Sequence, residues 1–491
     1  MATASTHEMD LTKGNLFWKI PLFALPLALT TFLQLFYTTV DLWTVSNFGG
    51  GSLSMSAVGS NGALINLIVT VFVSLSLGAN VAIGNAKGAN QKEHAEKVLH
   101  TSLIVAVFTG IGVGVFGALM SRYFLQWMQT NDNIIDLATQ YLAIYFLGMP
   151  FLMVYNYCSQ IMRALGDSRR PLYILFFAGI VNIAADFVLV YYFHLDVAGV
   201  AWATVLSEAI SALLSFLALR YNKNGYIAFS WKKCRIDKES FNEIMRIGLP
   251  AGFQGLAFSI PNVLIQSSLY SIKNDPISSN DIVTGSAASG NIEGYIYALV
   301  DAVASACVAF IGQNYGAKNK KNCRKVFWFC HAWMLIFWSM AAVVTLVWGH
   351  ELLRIFINGS DGTTNIEDAT TAGYQRLWVL AVFYFLDGIM DVDSGYLRGM
   401  RYSVAPAVIT LMGCTVTRII FLIALFPLSY FHNVSWLYAV FPISWTITDI
   451  SYGIAILFIE PRAFKKIEEP HVASETLVLK KRSEDSGGGR K

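Results

Sequence analysis

Twelve long apolar runs leave this chain of 491 residues few ways to fold. They lie at about 16–45, 57–84, 98–120, 134–160, 172–193, 197–219, 246–271, 282–311, 326–348, 374–397, 404–427 and 435–459. Each suits a helix crossing a hydrocarbon core of about 30 Å. Membrane β-strands need only about 10 residues and alternate polar with apolar, which these runs do not. Charged residues make up 14% of the chain, against about 25% in soluble domains. The expected fold is therefore an all-α polytopic membrane protein with twelve transmembrane helices.

Loop charge gives the orientation. Lys13, Lys19, Lys87, Lys92, Lys97, Arg163, Arg169, Arg170, the basic residues of 220–246 and 318–325, Arg398 and Arg401 lie at the N-terminus and in the even-numbered connections. The odd-numbered connections hold Arg122, Lys273, Arg354 and Arg376. Positive charge stays inside, so both termini are expected in the cytoplasm, and the plasma (inner) membrane is the expected location. The net charge of +3 is too small to suggest a nucleic-acid partner. The six cysteines are scattered without a CxxC pair and read as free thiols. The first apolar run is too long for a signal-peptide core.

The chain repeats itself. Leu25-Pro26 matches Leu249-Pro250; Gly84-Asn85-Ala86-Lys87-Gly88 matches Gly312-Gln313-Asn314-Tyr315-Gly316; Arg163 and Arg398 each stand eight residues before a proline, Pro171 and Pro406. Six crossings per repeat return the chain to the same side, so the halves are parallel repeats forming two six-helix bundles. The organisation expected is a cytoplasmic N-terminus at 1–15, a lobe at 16–220, a linker with a short amphipathic helix at 221–245, a lobe at 246–460 and a cytoplasmic tail at 461–491. Two such bundles suit alternating access around a site between them.

Charged groups inside spans are costly and are functional candidates by default. They are Asp41, Asp186, Glu208, Glu293, Asp301, Asp387, Asp391 and Arg418. Seven acids against one base favour a cation. Asp41 lies 22 residues after Lys19, roughly 33 Å along the first helix. Asn182 and Asp186 share a helix face. Counted along their spans, Asp41, Asn182, Asp186 and Thr204 reach one level in the first bundle. Their carboxylate, amide and hydroxyl oxygens are hard ligands. They are the candidate cation-coupling site, and the metal ligands if sodium is the ion. Pro26 interrupts the first helix and should let it bend. A possible second-lobe site comprises Asp387, Glu293 and Arg418, with Arg418 expected to pair with Asp387 or Glu293. Tyr141 and Asp301 are candidates for the substrate cavity. No Walker loop, HExxH or nucleophile elbow appears, so no enzyme is expected.

Those features together resemble the multidrug and toxic compound extrusion (MATE) family. The resemblance covers about residues 10–460. It rests on the two six-span lobes, Leu25-Pro26 leading to Val40-Asp41, the two glycine motifs, Arg163-Ala164-Leu165-Gly166-Asp167, Asn182 to Asp186 and Leu397-Arg398-Gly399. It implies a monomeric secondary antiporter without cofactor, exporting small organic cations from the membrane in exchange for H+ or Na+. Pro26, Asp41, Asn182, Asp186 and Thr204 match the first-lobe site of the DinF-type branch. Tyr141 and Asn156 match positions lining that lobe, and Asp387 matches the tenth-helix acid of the NorM-type branch. That branch's seventh-helix acid would fall near Phe258, where no carboxylate stands. The alternative from another class is a flippase or exporter of lipid-linked saccharides, whose phosphates would call for several interior bases.

Overall fold

Prolines, glycines and the length of each apolar run set where the helices begin, bend and stop. The computed structural model describes residues 8–222, 225–272, 276–357 and 365–468. Lys273 and the tail beyond 468, both used in the charge argument, lie outside the described residues. The helices are α1 Leu16–Phe48, α2 Ser52–Gly88, α3 Lys92–Trp127, a broken α4, α5 Arg169–Asp186, α6 Asp196–Arg220, α7 Lys238–Ser268, α8 Ser279–Gly316, α9 Lys320–Phe356, α10 Ile366–Gly399, α11 Val404–Leu425 and α12 Val434–Glu468. Ten are singly long and apolar enough to cross a membrane.

The other two crossings need separate arguments. The fourth run, expected as one helix, is Ile135–Leu147 followed by Met149–Ala164, bent by 48°. Gly148 and Pro150 make the break, because proline cannot donate into the preceding turn. Gly114 of α3 fits against the bend, where a Cβ would stand 2.7 Å from the Phe146 carbonyl oxygen. The second case is α10, whose 34 residues include Asp387, Asp391 and Asp393. These acids lower its hydropathy, but it lies buried against α8: a Cβ on Gly395 would stand 2.9 Å from the Ala304 carbonyl oxygen.

The linker departs from expectation. Among the described residues it holds only a single short turn, Trp231–Lys233. The amphipathic stretch is the start of α7 itself, capped by Asp237, which accepts from the Ser240 amide at 2.8 Å. A good N-cap placed directly before the apolar run makes one helix more favourable than two.

The two largest hydrophobic cores among the described residues correspond to the two repeats, and the first helix of each repeat is shared between them. Ile20, Phe23, Leu27 and Ala28 of α1 pack in the second-lobe core, whereas Val45 packs in the first. In α7, Ile244 packs in the first-lobe core and Ile265 in the second. Glycines permit the crossing, as small residues do where membrane helices pack closely. A Cβ on Gly248 would come within 2.7 Å of the Leu75 carbonyl oxygen of α2, and one on Gly252 within 2.7 Å of that of Val71. Pro26 sits at the end of the α1 segment held by the second lobe. Its carbonyl oxygen accepts from Thr30 Oγ1 at 2.7 Å.

Candidate functional site

The first-lobe site forms where α1, α5 and α6 meet. Asp41 comes from the far half of α1, Asn182 and Asp186 from adjacent turns of α5, and Thr204 from α6. Two local features place them. Gly179 leaves room for the Tyr37 ring, letting α1 lie close on α5, and the Tyr37 hydroxyl reaches the Leu175 carbonyl oxygen at 3.5 Å. Asp186 then ends the α-helical part of its span, which continues as a π-helical turn over Phe187–Tyr192. Such turns are frequent at functional sites.

The predicted quartet comes together. Asp186, Asn182 and Thr204 all surround the Asp41 carboxylate. Asp41 is 9% exposed, Asn182 3% and Asp186 0%. The Thr204 hydroxyl lies 3.5 Å from Asp41 Oδ2 but 3.0 Å from the Val200 carbonyl oxygen. Its single hydrogen therefore belongs mainly to the helix backbone. Asp41 Oδ1, Asn182 Oδ1 and both Asp186 carboxylate oxygens have no donor in reach. Buried acceptors left unpaired are expensive. Two carboxylates facing each other in low dielectric need a proton or a metal cation between them. Either fits: oxygen-only ligands suit a small hard cation, and a shared proton would give one carboxyl the missing donor.

Tyr141, expected in a substrate cavity, is 7% exposed and stands beside Asp41, Glu208 and Asp186. It therefore belongs to the wall of the acidic site. Glu208, four residues after Thr204, joins the same neighbourhood. Its Oε2 is buried without a partner against Gly148, at the break in α4. Its charge inside a span marked it in the sequence; its packing against the kinked helix is visible only in the fold. Asn156 is half-buried, and its amide is spent on the Leu152 carbonyl oxygen of its own helix at 2.8 Å.

The second lobe is wired differently from expectation. Glu293 pairs with Arg376 at 2.8 Å, not with Arg418. Arg376 had been counted among loop charges, but α10 begins at Ile366 and carries it into the bundle. Arg418 is 1% exposed and makes no ion pair with Asp387 or Glu293. Its Nε donates to Ser444 Oγ at 2.9 Å, its Nη1 donates to Asn262 Oδ1 at 3.0 Å, and its guanidinium lies 4.5 Å from the Phe441 ring centre. Neutral oxygens take two of its nitrogens and an aromatic face covers the planar cation, while Nη2 is buried without an acceptor. Asp387 is 5% exposed. Asp301 lies among Arg163, Arg398 and Ser305, near Asp391 and Tyr297. The interior thus holds Arg163, Arg376 and Arg398 besides Arg418, and the count of seven acids to one base is corrected. Sequence reasoning also missed Asp449 of α12, whose two carboxylate oxygens are buried without donors. It sits 14 residues into an apolar run, so the charge inside the span was itself the signal.

Comparison with known proteins bears on this architecture. The MatE family profile matches residues 26–188 and 276–423, one block in each lobe. The chain is similar to the probable multidrug resistance protein YpnP of Bacillus subtilis (strain 168), with 29% identity over 83% of this chain and 88% of that protein. It is also similar to the FAD transporter of Shewanella oneidensis, with 21% identity over 88% and 91%. Among solved structures, a MATE protein in complex with MaL6 superposes with a TM-score of 0.84 at 19% identity, covering 94% of this chain and 100% of that one. An outward-facing multidrug resistance MATE family transporter gives 0.82 at 19% identity, with the same coverage. Matched in both lobes and through the fold that carries the acidic site, this chain belongs to the MatE family of membrane transporters and is not an enzyme.

Proposed function

We propose that the protein is a secondary active antiporter that exports small organic cations, multidrug compounds among them, in exchange for H+ or Na+. The observation that carries this reading is the group of buried acceptor oxygens on Asp41, Asn182 and Asp186 with no donor in reach. That group is completed by a coupling ion, and its Asp41 lies on α1, whose other half belongs to the opposite lobe. Ion entry from outside neutralises Asp41 and Asp186 and changes how α1 packs on α5. Pro26, without an N–H to hold the preceding turn, lets the two halves of α1 move separately. The orientation proposed keeps both termini in the cytoplasm, in the plasma membrane.

The test is efflux of a fluorescent organic cation from proteoliposomes, driven separately by a sodium and a pH gradient. Efflux with one gradient, lost in Asp41→Asn and Asp186→Asn proteins of normal yield, is the expected result. Unchanged efflux in both variants would remove the site from the mechanism.

A second reading has a specific observation behind it. Arg163 and Arg398 stand at equivalent places in the two lobes, each with a buried Nε that has no acceptor. They provide interior positive charge for an anionic cargo, such as a lipid-linked saccharide. Folded protein that moves no organic cation under either gradient, but moves a phosphate-bearing amphiphile, would decide for it.

A further inference from the structure

The two glycine motifs that reveal the repeat meet each other in the folded protein. Gly84 of α2 faces Gly312 of α8: a Cβ on Gly84 would lie 3.7 Å from Gly312 Cα, and one on Gly312 would lie 3.8 Å from Gly84 Cα. The residue after each glycine carries an amide, and each amide crosses to the other lobe. Asn85 Nδ2 donates to the Gly399 carbonyl oxygen at the end of α10, at 3.1 Å. Gln313 Nε2 donates to the Ala164 carbonyl oxygen at the end of α4, at 2.7 Å. Gly399 and Ala164 each follow the matched arginines, Arg398 and Arg163. The two bonds are therefore the same contact made twice, once by each repeat. Both carbonyls belong to helix C-terminal turns, which lack partners within their own helix.

The amides themselves are buried. Gln313 is 1% exposed, Asn314 0% and Asn85 6%. Val81, Ile247 and Val308 form a small apolar cluster beside them, drawn from α2, α7 and α8. Beneath lies an irregular strap, residues 8–14, that grips both lobes. Glu8 accepts from Lys87 Nζ at 2.9 Å and Asn222 Nδ2 at 3.1 Å in the first lobe. The Met9 amide donates to the Gly166 carbonyl oxygen at 3.0 Å. In the second lobe Asn314 Nδ2 donates to the Leu11 carbonyl oxygen at 2.9 Å, and Asn322 Nδ2 to that of Thr12 at 2.8 Å.

We propose that Asn85 and Gln313 are the gate residues of the transport cycle at the end of the bundle bearing the termini, and that opening that end breaks the Asn85–Gly399 and Gln313–Ala164 bonds together. The geometry makes this a two-state device. The lobes cannot separate at Gly84 and Gly312 while either bond holds, and symmetry makes the bonds equal in kind. Each broken bond is repaired by water once the gap opens, so the barrier to opening stays small. This inference rests on the transporter fold and is independent of cargo and coupling ion.

The test is conformational and needs no cargo. Spin labels go, by oxime linkage, on ketone-bearing residues in place of exposed Lys92 and Lys321, one in each lobe, with exposed Cys234→Ser, and the inter-label distance is read in nanodiscs. The Asn85→Ala/Gln313→Ala protein should gain a longer-distance population, raised roughly tenfold over the parent, as loss of two hydrogen bonds implies. A second variant guards against a folding artefact. Gly84→Cys/Gly312→Cys brings two thiols into disulfide range; oxidation should abolish the long-distance population, and reductant should restore it. A distance distribution in Asn85→Ala/Gln313→Ala identical to the parent, or a long-distance population surviving complete crosslinking, would overturn the proposal.

Discussion

Arg376 and Glu293 lie 2.8 Å apart and tie α10 to α8 in the half of the second lobe away from the termini. Arg376 also donates to Ser286 Oγ at 2.7 Å, so the guanidinium sits in a built polar pocket. Removing one partner strands a charge in low dielectric, which costs about 3 kcal/mol, whereas replacing both with apolar groups costs much less. Arg376→Leu should therefore melt earlier than the Arg376→Leu/Glu293→Leu protein in detergent. The reverse order of melting temperatures would show that the pair carries no net coupling.

Pro26→Ala should separate stability from transport. The substitution restores a backbone donor and removes a local helix breaker, so α1 straightens and thermal stability rises or holds. Efflux should fall, because the half of α1 bearing Asp41 then moves only with the half held in the second lobe. Parallel melting curves and gradient-driven efflux check this; full efflux with raised stability would remove the hinge from the mechanism.

Gly179 is needed for a plain steric reason: the Tyr37 ring occupies the space a Cβ would take. Overpacking of this kind costs about 1–3 kcal/mol. Gly179→Ala should lower the melting temperature and weaken efflux by lifting α1 from α5. Adding Tyr37→Ala should recover part of the lost melting temperature. An additive double variant, no better than the sum of the singles, would mean the two residues do not press on each other.

Glu208→Gln tests whether the third acid of the first lobe belongs to the coupling site. It shares Tyr141 as a neighbour with Asp41 and Asp186. Efflux should persist with an altered dependence on the driving gradient, while Asp41→Asn abolishes it. Identical gradient dependence in Glu208→Gln and the parent would assign Glu208 to packing around the α4 break.

Much of this molecule was legible from spacing alone. Asn182 and Asp186 are one helical turn apart, and counting residues from span ends put Asp41 and Thr204 at their level; regular helices preserve such counts. The repeat was legible because its glycine and proline motifs serve backbone geometry that both lobes need. What escaped was tertiary. Arg376 lies near the start of its apolar run, so hydropathy assigned it to a loop, although the helix begins ten residues earlier. Arg418 was given an acid by charge matching, whereas aromatic faces and neutral oxygens surround it. No periodicity in α1 announces that Phe23 packs in one lobe and Val45 in the other, because both are simply apolar.

That sharing of α1 and α7 has a consequence for how such a protein can arise and be taken apart. A chain cut between 222 and 238 would yield two repeats that each carry part of the other's interior: Ile20, Phe23 and Leu27 would leave the second lobe, and Ile244 the first. The halves are thus interlocked pieces, and an ancestral single repeat could have filled the same gaps only by exchanging its first helix with an identical partner.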